Sequence, residues 1–182
     1  MRKLEEVMKI LSRPLAIEDV DFRVQSVNKG GYVTILAYKD ARVDMARLDE
    51  ATEGRWMRSH QLINGNLFCE ISIYDEESQM WISKIDVGTE SFTEKQKGEA
   101  SDSFKRAGFN WGIGRELYDY PLIQFKLDNS EFKIEGGKAK PTFAFNIKDL
   151  KFGSKFNDEG ELVQLAIKDK NGKLRFNWKK EK

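Results

Sequence analysis

The stretch KGEASDSFKRAGFNWGIGRELY, residues 97–118, decides how this chain can fold. Its small and aromatic side chains recur at steps of four, three and four residues: Ala100, Phe104, Ala107 and Trp111. On a helix with about 3.6 residues per turn, these positions form one narrow stripe. We therefore predict a long helix that buries this stripe against a sheet. Gly108 weakens such a helix by roughly 1 kcal/mol relative to alanine, and Gly112 and Gly114 are predicted to end it.

The same stretch contains an adjacent basic pair, Lys105 and Arg106. Lys105 is displaced by about 100° from Phe104 and Arg106 by about twice that, so both are predicted to point away from the buried stripe. The predicted helix and its ends carry five basic residues: Lys95, Lys97, Lys105, Arg106 and Arg115. Ammonium and guanidinium groups that point outward from a helix can hold successive phosphates without reading bases. The pattern favours a polyanion site.

Three runs with strand character precede this helix: RWMRSHQLI, NLFCEISIY and QMWISKIDV. Asn64-Gly65 joins the first two runs and is a strong hairpin signal, and the turn DEES joins the second to the third. Apolar residues alternate along the middle run: Leu67, Cys69, Ile71 and Ile73. This period of two indicates one buried face, so we predict a three-stranded antiparallel meander.

The remaining segments complete an α+β fold. Leu4, Val7, Met8 and Leu11 predict a short N-terminal helix that stops before Pro14. DFRVQSV and YVTILAY predict a hairpin through NKGG, and KDARVDMARLDEA predicts a helix with Asp40 as its N-cap. Strand-like runs fill the last third, including residues 142–153. We expect a core over residues 1–120 and a β-rich extension or subdomain over residues 121–182.

Composition sets limits on the class of protein. The chain has 182 residues, 40% of them hydrophobic, with 31 basic and 30 acidic residues and a net charge of +1. A polyanion site must therefore come from local clustering of charge. The single cysteine, Cys69, indicates a reducing compartment, and with one histidine, His60, a His/Cys zinc site is not expected. The N-terminus lacks the pattern of a signal peptide or membrane span, so we expect a cytoplasmic protein.

Motifs for catalysis or nucleotide binding are absent. Gly112 and Gly114 lie at a predicted helix end without a third glycine, which is not the arrangement of a dinucleotide loop, and no Walker motif is present. His60 has no partner nucleophile nearby in sequence. Four carboxylates lie near the long helix: Asp86, Glu90, Glu99 and Asp102. Such clusters are usually solvated, although a carboxylate metal site stays open. We expect neither an enzyme nor a cofactor.

Tryptophans could serve either the core or the stacking of bases. Trp56, Trp81 and Trp111 all fall in patterned elements. We therefore predict that all three pack in the core.

Residues 97–118 resemble the phage and bacterial branch of the Rad fifty-two family of single-strand annealing proteins. The matching residues are Lys97, Gly98, Ser101, Asp102, Phe104, Lys105, Arg106, Ala107, Gly112, Ile113, Gly114, Arg115, Leu117 and Tyr118. Upstream, YKDARVDMARLDEATEGRW is similar to the family's early basic helix and the tryptophan that follows it. The resemblance covers about residues 32–120.

The resemblance implies a homo-oligomeric ring or helical filament that binds single-stranded DNA in a basic outer groove and anneals complementary strands in recombination or repair. It assigns the innermost phosphate contacts to Lys105, Arg106 and Arg42, and a weaker DNA surface to Lys95 and Lys97. A phage exonuclease or a host single-strand-binding protein is the protein partner it suggests, in the cytoplasm of a bacterial host.

Two other functions stay open at this point. The same groove could protect single-stranded DNA or act as a recombination adaptor without annealing. A carboxylate metal enzyme would instead depend on a divalent ion and release a product.

Overall fold

The computed structural model describes residues 2–89 and 95–181, with side chains described from residue 98 onward in the last helix. This part contains three α-helices: α1 (Leu4–Leu11), α2 (Ala41–Thr52) and α3 (Lys95–Asn110). It contains eleven strands: β1 (Asp21–Val27), β2 (Tyr32–Tyr38), β3 (Trp56–Ile63), β4 (Asn66–Asp75), β5 (Met80–Val87), β6 (Ile123–Lys126), β7 (Phe132–Glu135), β8 (Lys138–Pro141), β9 (Lys151–Phe156), β10 (Leu162–Lys168) and β11 (Leu174–Lys179). The strands form four small antiparallel sheets, which confirms the predicted α+β class.

The chain divides into two compact units. Unit 1 comprises Met1–Pro14 and Lys39–Arg115, and unit 2 comprises Leu15–Tyr38 and Glu116–Lys182. The first hairpin, β1–β2, thus belongs with the C-terminal strands, because β2 pairs with β6. The division at residue 120 into an annealing core and an extension stays a prediction.

The predicted meander forms the sheet of unit 1. β4 lies between β3 and β5, and Trp56 and Ile82 are both opposite Ile73. Asn64 and Gly65 have φ values of 52° and 81°, which a type I′ turn requires at both central positions. Cys69, Ile71 and Ile73 are buried along β4 as the sequence predicts, whereas Leu67 is only half-buried and Ser72 on the other face is also buried.

Helix α3 packs on this sheet through the predicted stripe. Phe104, Ala107 and Trp111 are each at most 1% exposed, whereas Ala100, the first residue of the stripe, is half-buried. The indole Nε1 of Trp111 donates a hydrogen bond of 3.0 Å to the Ile71 carbonyl, so this large side chain is buried without an unpaired donor. Gly112 and Gly114 follow with φ values of 103° and 73°, and the helix ends there as predicted.

The two other helices complete the core of unit 1. The Asp40 carboxylate accepts a hydrogen bond from the Arg42 backbone N–H, which confirms the predicted N-cap of α2. Arg47 of α2 donates to the Ile10 and Arg13 carbonyls and so joins α2 to the end of α1. In the part of the chain that the structure describes, no helix is long and apolar enough to cross a membrane.

A buried ion pair joins the start of α2 to the end of α3. The Lys39 ammonium hydrogen-bonds Asp44 Oδ1, and both side chains are at most 1% exposed. Lys39 also donates to the Ile113 carbonyl at 2.9 Å and lies 4.3 Å from the Phe109 ring centroid. Burial raises the pKa of Asp44 to about 6, against the opposing effect of Lys39. Asp44 Oδ2 has no hydrogen-bond partner among the described residues.

Unit 2 contains two three-stranded sheets and the β7–β8 hairpin. β2 lies between β1 and β6, and β10 lies between β9 and β11. A shared core contains side chains of both sheets and of Phe145: Val33, Ile35, Ile123, Phe125, Leu127, Phe145, Leu162, Leu165 and Ile167. The predicted turns at NKGG and DKNGK both form, with Gly31 and Gly172 at positive φ.

Two sequence predictions for unit 2 are corrected. Residues 142–153 are not one strand: a 3-10 helix at Ile147–Asp149, capped by the Asn146 side chain, precedes β9. β8 was not predicted because Lys138–Pro141 has low strand propensity. It forms because Gly136 and Gly137, both at positive φ, turn the chain back along β7.

We predict that Asp44→Ala lowers the free energy of unfolding of the whole chain by about 3–5 kcal/mol, because the buried Lys39 charge loses its partner. The double variant K39M/D44L should lose much less, because it removes both charges and keeps the apolar volume. Urea unfolding followed by circular dichroism measures both. The exposed pair of Lys9 and Glu5 provides the control, and Glu5→Ala should leave the midpoint almost unchanged. A cost below about 1 kcal/mol for D44A would contradict this account.

Candidate nucleic-acid interface

The outer side of α3 carries Lys105 and Arg106, both half-buried, as the sequence predicts. Phe104 faces the sheet beside them and fixes the rotation of the helix. Lys105 lies on the flank towards α2, because its charge acts on Asp40 and Asp44. Arg106 lies on the flank towards β5, where it contacts Asp86. Two cations thus stand on one helix without entering the core.

Arg42 lies at the first turn of α2 and is 86% exposed. Its Nε donates to Asp40 Oδ1 at 2.8 Å, and Asp40 therefore holds both the backbone and the side chain of Arg42. Hydrogen bonds from Arg42, and to a smaller degree the charge of Lys105, lower the pKa of Asp40. Asp40 thus contacts Arg42 directly and is within the electrostatic range of Lys105. Arg106 follows Lys105 on α3, on the flank towards β5. We call Arg42, Lys105 and Arg106 the α2–α3 surface.

Among the described residues, Arg106 has one weak ion-pair partner. Its Nε is 3.4 Å from Asp86 Oδ1, which is a long hydrogen bond, and its side chain is 40% exposed. Asp86 also accepts from Asn110 Nδ2 at 3.3 Å. A phosphate oxygen could therefore replace Asp86 at the guanidinium at small energetic cost.

Arg115 lies at the end of α3. It donates to the carbonyls of Phe109 and Asn110, at 2.6 and 2.9 Å. Lys84 donates to the same Asn110 carbonyl at 2.7 Å, and burial together with the Arg115 charge lowers its pKa. Both cations stabilise the negative end of the helix dipole. A DNA contact by Arg115 stays a prediction.

Lys95 and Lys97 belong to the first turn of α3, but their side chains lie outside the described part of the structure. The weaker DNA surface that they were expected to form stays a prediction.

The candidate carboxylates that the structure describes bind neighbouring groups of the protein. Glu99 accepts from the Leu67 backbone N–H, and Asp102 accepts from the N–H and hydroxyl of Thr89. Glu90 lies outside the described residues. Within residues 2–89 and 95–181, no three His, Cys, Asp or Glu side chains form a group suited to a metal ion. The carboxylates near α3 that are described thus have structural roles in joining it to the meander.

The tryptophan prediction is correct for two residues and wrong for one. Trp111 is buried, and half-buried Trp56 packs on Phe104 while its Nε1 donates to Asp49. Trp81 is 46% exposed on the face of the meander opposite α3, next to Tyr74. The sequence alternation of β5 does not say which of its two faces α3 covers.

Arg58 is a cation that the sequence reasoning missed. It is an exposed residue of β3, opposite Ile71, with its guanidinium carbon 5.0 Å from the Phe104 ring centroid. Alternation along β3 places it on the same face as Trp56, which was the available signal. Arg58 adds positive charge beside the middle of α3.

Comparison with known proteins gives relatives but no family. No protein-family model matches the chain, and no solved structure matches it. The single-stranded DNA-binding protein DdrA of Deinococcus radiodurans is 29% identical over 123 residues, which are 65% of this chain and 58% of the relative. The protein of the same name from Deinococcus deserti is 30% identical over 122 residues, which are 65% of this chain and 60% of the relative. The chain therefore spans about three fifths of the length of these curated relatives.

We predict that Gly108→Ala destabilises the protein, although alanine favours helices. A Cβ at this position would overlap Asp44 Oδ1, which Lys39 holds in place. Overpacking costs about 1–3 kcal/mol, against a gain of about 1 kcal/mol in helix propensity. Thermal unfolding measures the balance. Gly153→Ala is the matched control, because an added Cβ there meets nothing within 4 Å. A higher melting temperature for G108A would show that the α2–α3 contact is looser than described.

Proposed function

We propose that this chain binds single-stranded DNA through its phosphates on the α2–α3 surface and anneals complementary strands without ATP. The observation that carries the proposal is the position of Arg42, Lys105 and Arg106 on the outer sides of two helices that are fixed to each other. The names of the two relatives, which denote single-stranded DNA binding, support the choice of ligand. The resemblance of residues 97–118 to the Rad fifty-two family supports annealing.

The chemistry of annealing suits these residues. An annealing protein holds each strand by phosphates and leaves base edges free to pair with a complement. Guanidinium and ammonium groups do this without a nucleophile, metal or nucleotide, because base pairing supplies the free energy. We therefore propose a DNA-binding protein of recombination and repair that is not an enzyme.

Assembly into a homo-oligomer is part of the proposal. Three cations bind a short length of DNA weakly, and a ring or filament of identical subunits adds their contacts through a high effective concentration. Each contact can still dissociate, which strand exchange between sites requires. A chain with a net charge of +1 can thus bind DNA tightly as an assembly. A phage exonuclease or a host single-strand-binding protein is the partner we propose for it.

A second candidate function is protection of single-stranded DNA without annealing. The name that the two relatives share favours it, because that name specifies DNA binding and does not mention annealing. This candidate predicts tight binding with no faster formation of duplex. The two functions share the α2–α3 surface and differ in whether bound strands stay accessible to a complement.

The double variant K105A/R106A tests the surface. It should fold normally, since both side chains lie outside the cores, and lose most of its affinity for oligothymidylate. The slope of log affinity against log salt should fall by about 1.4 if each cation contacts one phosphate. The charge-matched control is K170A/K173A, which removes two lysines paired to Asp149 and Asp128. An unchanged slope in K105A/R106A would remove this surface from the proposal.

We predict the opposite effect for Asp86→Asn, because Asp86 competes with phosphate for Arg106. Loss of one weak surface ion pair of about 0.6 kcal/mol corresponds to roughly threefold tighter binding of single-stranded DNA. Fluorescence anisotropy at low salt measures the change. The gain should vanish when D86N is combined with R106A. Unchanged or weaker binding by D86N alone would contradict the assignment of Arg106.

A further inference from the structure

The sheet of β9, β10 and β11 in unit 2 has one buried face and one exposed face. Leu165 and Ile167 of β10 are fully buried on the inner side. The outer positions of the three strands alternate with them: Lys151, Gly153, Lys155, Gln164, Ala166, Lys168, Leu174, Asn177 and Lys179. The Gln164 amide donates to Asn177 Oδ1 at 3.1 Å, in agreement with their common face. We call the four exposed lysines Lys151, Lys155, Lys168 and Lys179 the lysine face.

No acidic residue of the three strands neutralises the positive charge of the lysine face. The strands KFGSKF, LVQLAIK and LRFNWK contain no Asp or Glu. Among the described residues, none of its four lysines forms an ion pair. Other exposed lysines of unit 2 do: Lys133, Lys170, Lys173 and Lys180. Lys29, Lys126, Lys138, Lys140 and Lys148 also form no ion pair among the described residues, so what distinguishes the lysine face is that its four lysines share one side of one sheet.

The lysines of the face repel one another when no anion is bound. Lys151 is directly opposite Lys168 in the β9–β10 register, and like charges in opposite positions destabilise a strand pair. Lys155 and Lys179 flank Gln164 in one row across the three strands. A bound polyanion would relieve the repulsion within both pairs.

The centre of the face leaves room for a ligand. Gly153 and Ala166 are paired there, and the space above Gly153 is open to at least 4 Å from an added Cβ. Lys151 and Lys155 are four residues apart, about 13 Å along a strand, and the outer strands are about 10 Å apart. Two pairs of cations therefore border a shallow floor that can admit several successive phosphates.

We propose that the lysine face is a second contact surface for the phosphates of single-stranded DNA. Its outer positions carry no aromatic side chain, so it holds the backbone without stacking on bases. Lysine ammonium groups act as point charges for phosphate and are independent of sequence. The choice of single-stranded DNA as the ligand rests on the proposed function, whereas the site itself is separate from the α2–α3 surface.

The quadruple variant K151Q/K155Q/K168Q/K179Q tests this inference in the full chain. Its matched control is K133Q/K170Q/K173Q/K180Q, which removes the same charge from ion-paired lysines of the same unit. Binding of oligothymidylate is measured across a series of NaCl concentrations. The lysine-face variant should lose about 0.7 of salt slope for each phosphate contact removed, up to about 2.8. The control should keep the wild-type slope.

The outcomes separate this inference from the proposed function. A reduced slope in the lysine-face variant alone supports this inference and overturns the α2–α3 surface, whereas a reduced slope in K105A/R106A alone does the reverse. Reduced slopes in both variants support both sites.

An equal loss in the control would assign the effect to net charge and overturn the inference. Polyglutamate with the same total charge serves as a competitor. If it displaced the bound oligothymidylate as well as unlabelled oligothymidylate does, the face would be assigned to an acidic protein, which would also overturn the inference.

A measurement on the wild-type protein covers the case in which the variant does not fold. Acylation of lysines is followed by mass spectrometry with and without oligothymidylate. The four lysines of the face should react more slowly when DNA is bound, while Lys133 and Lys170 should react equally in both samples. Equal reactivity of the lysine face with and without DNA would overturn the inference.

Discussion

The buried pair of Lys39 and Asp44 is the constraint on which the candidate surface depends. Two charges in the core of unit 1 are tolerated because each is hydrogen-bonded to the other, and Lys39 is satisfied further by the Ile113 carbonyl and the Phe109 ring. The pair fixes the start of α2 against the end of α3. Gly108 makes this approach possible, since any Cβ there would occupy the position of the Asp44 carboxylate. The pair thus joins the two helices that carry Arg42 and Lys105.

Much of the fold follows from local patterns in the sequence. The period of two in β4, the Asn64-Gly65 turn and the stripe of α3 each report on neighbouring residues, and the structure has all three. Contacts between distant parts of the chain could not be predicted from local patterns. Strand alternation does not reveal that the β1–β2 hairpin pairs with β6, which lies much later in the chain, or that Trp81 faces away from α3. β8 forms through its partner strand and its glycine turn in spite of its own residues.

The candidate site was likewise predictable only where it depends on local helix geometry. Helix geometry placed Lys105 and Arg106 on the outer side of α3, and the structure has them there. Their neighbours come from distant parts of the chain, so neither the contact of Arg106 with Asp86 nor the charge of Lys105 acting on Asp40 could be derived from spacing. The lysine face likewise appears only when β9, β10 and β11 are brought into register. Each strand alone contributes one or two of its lysines.

Weak contacts to phosphate, repeated on many copies, would hold a strand while its bases stay free to pair. The measurement that tests this most directly is the rate of duplex formation between two complementary fluorescent oligonucleotides, in EDTA and without ATP. The account predicts that the wild-type protein accelerates the reaction strongly and that K105A/R106A does not. Binding of both strands with no acceleration by the wild-type protein would contradict annealing and favour a protective role.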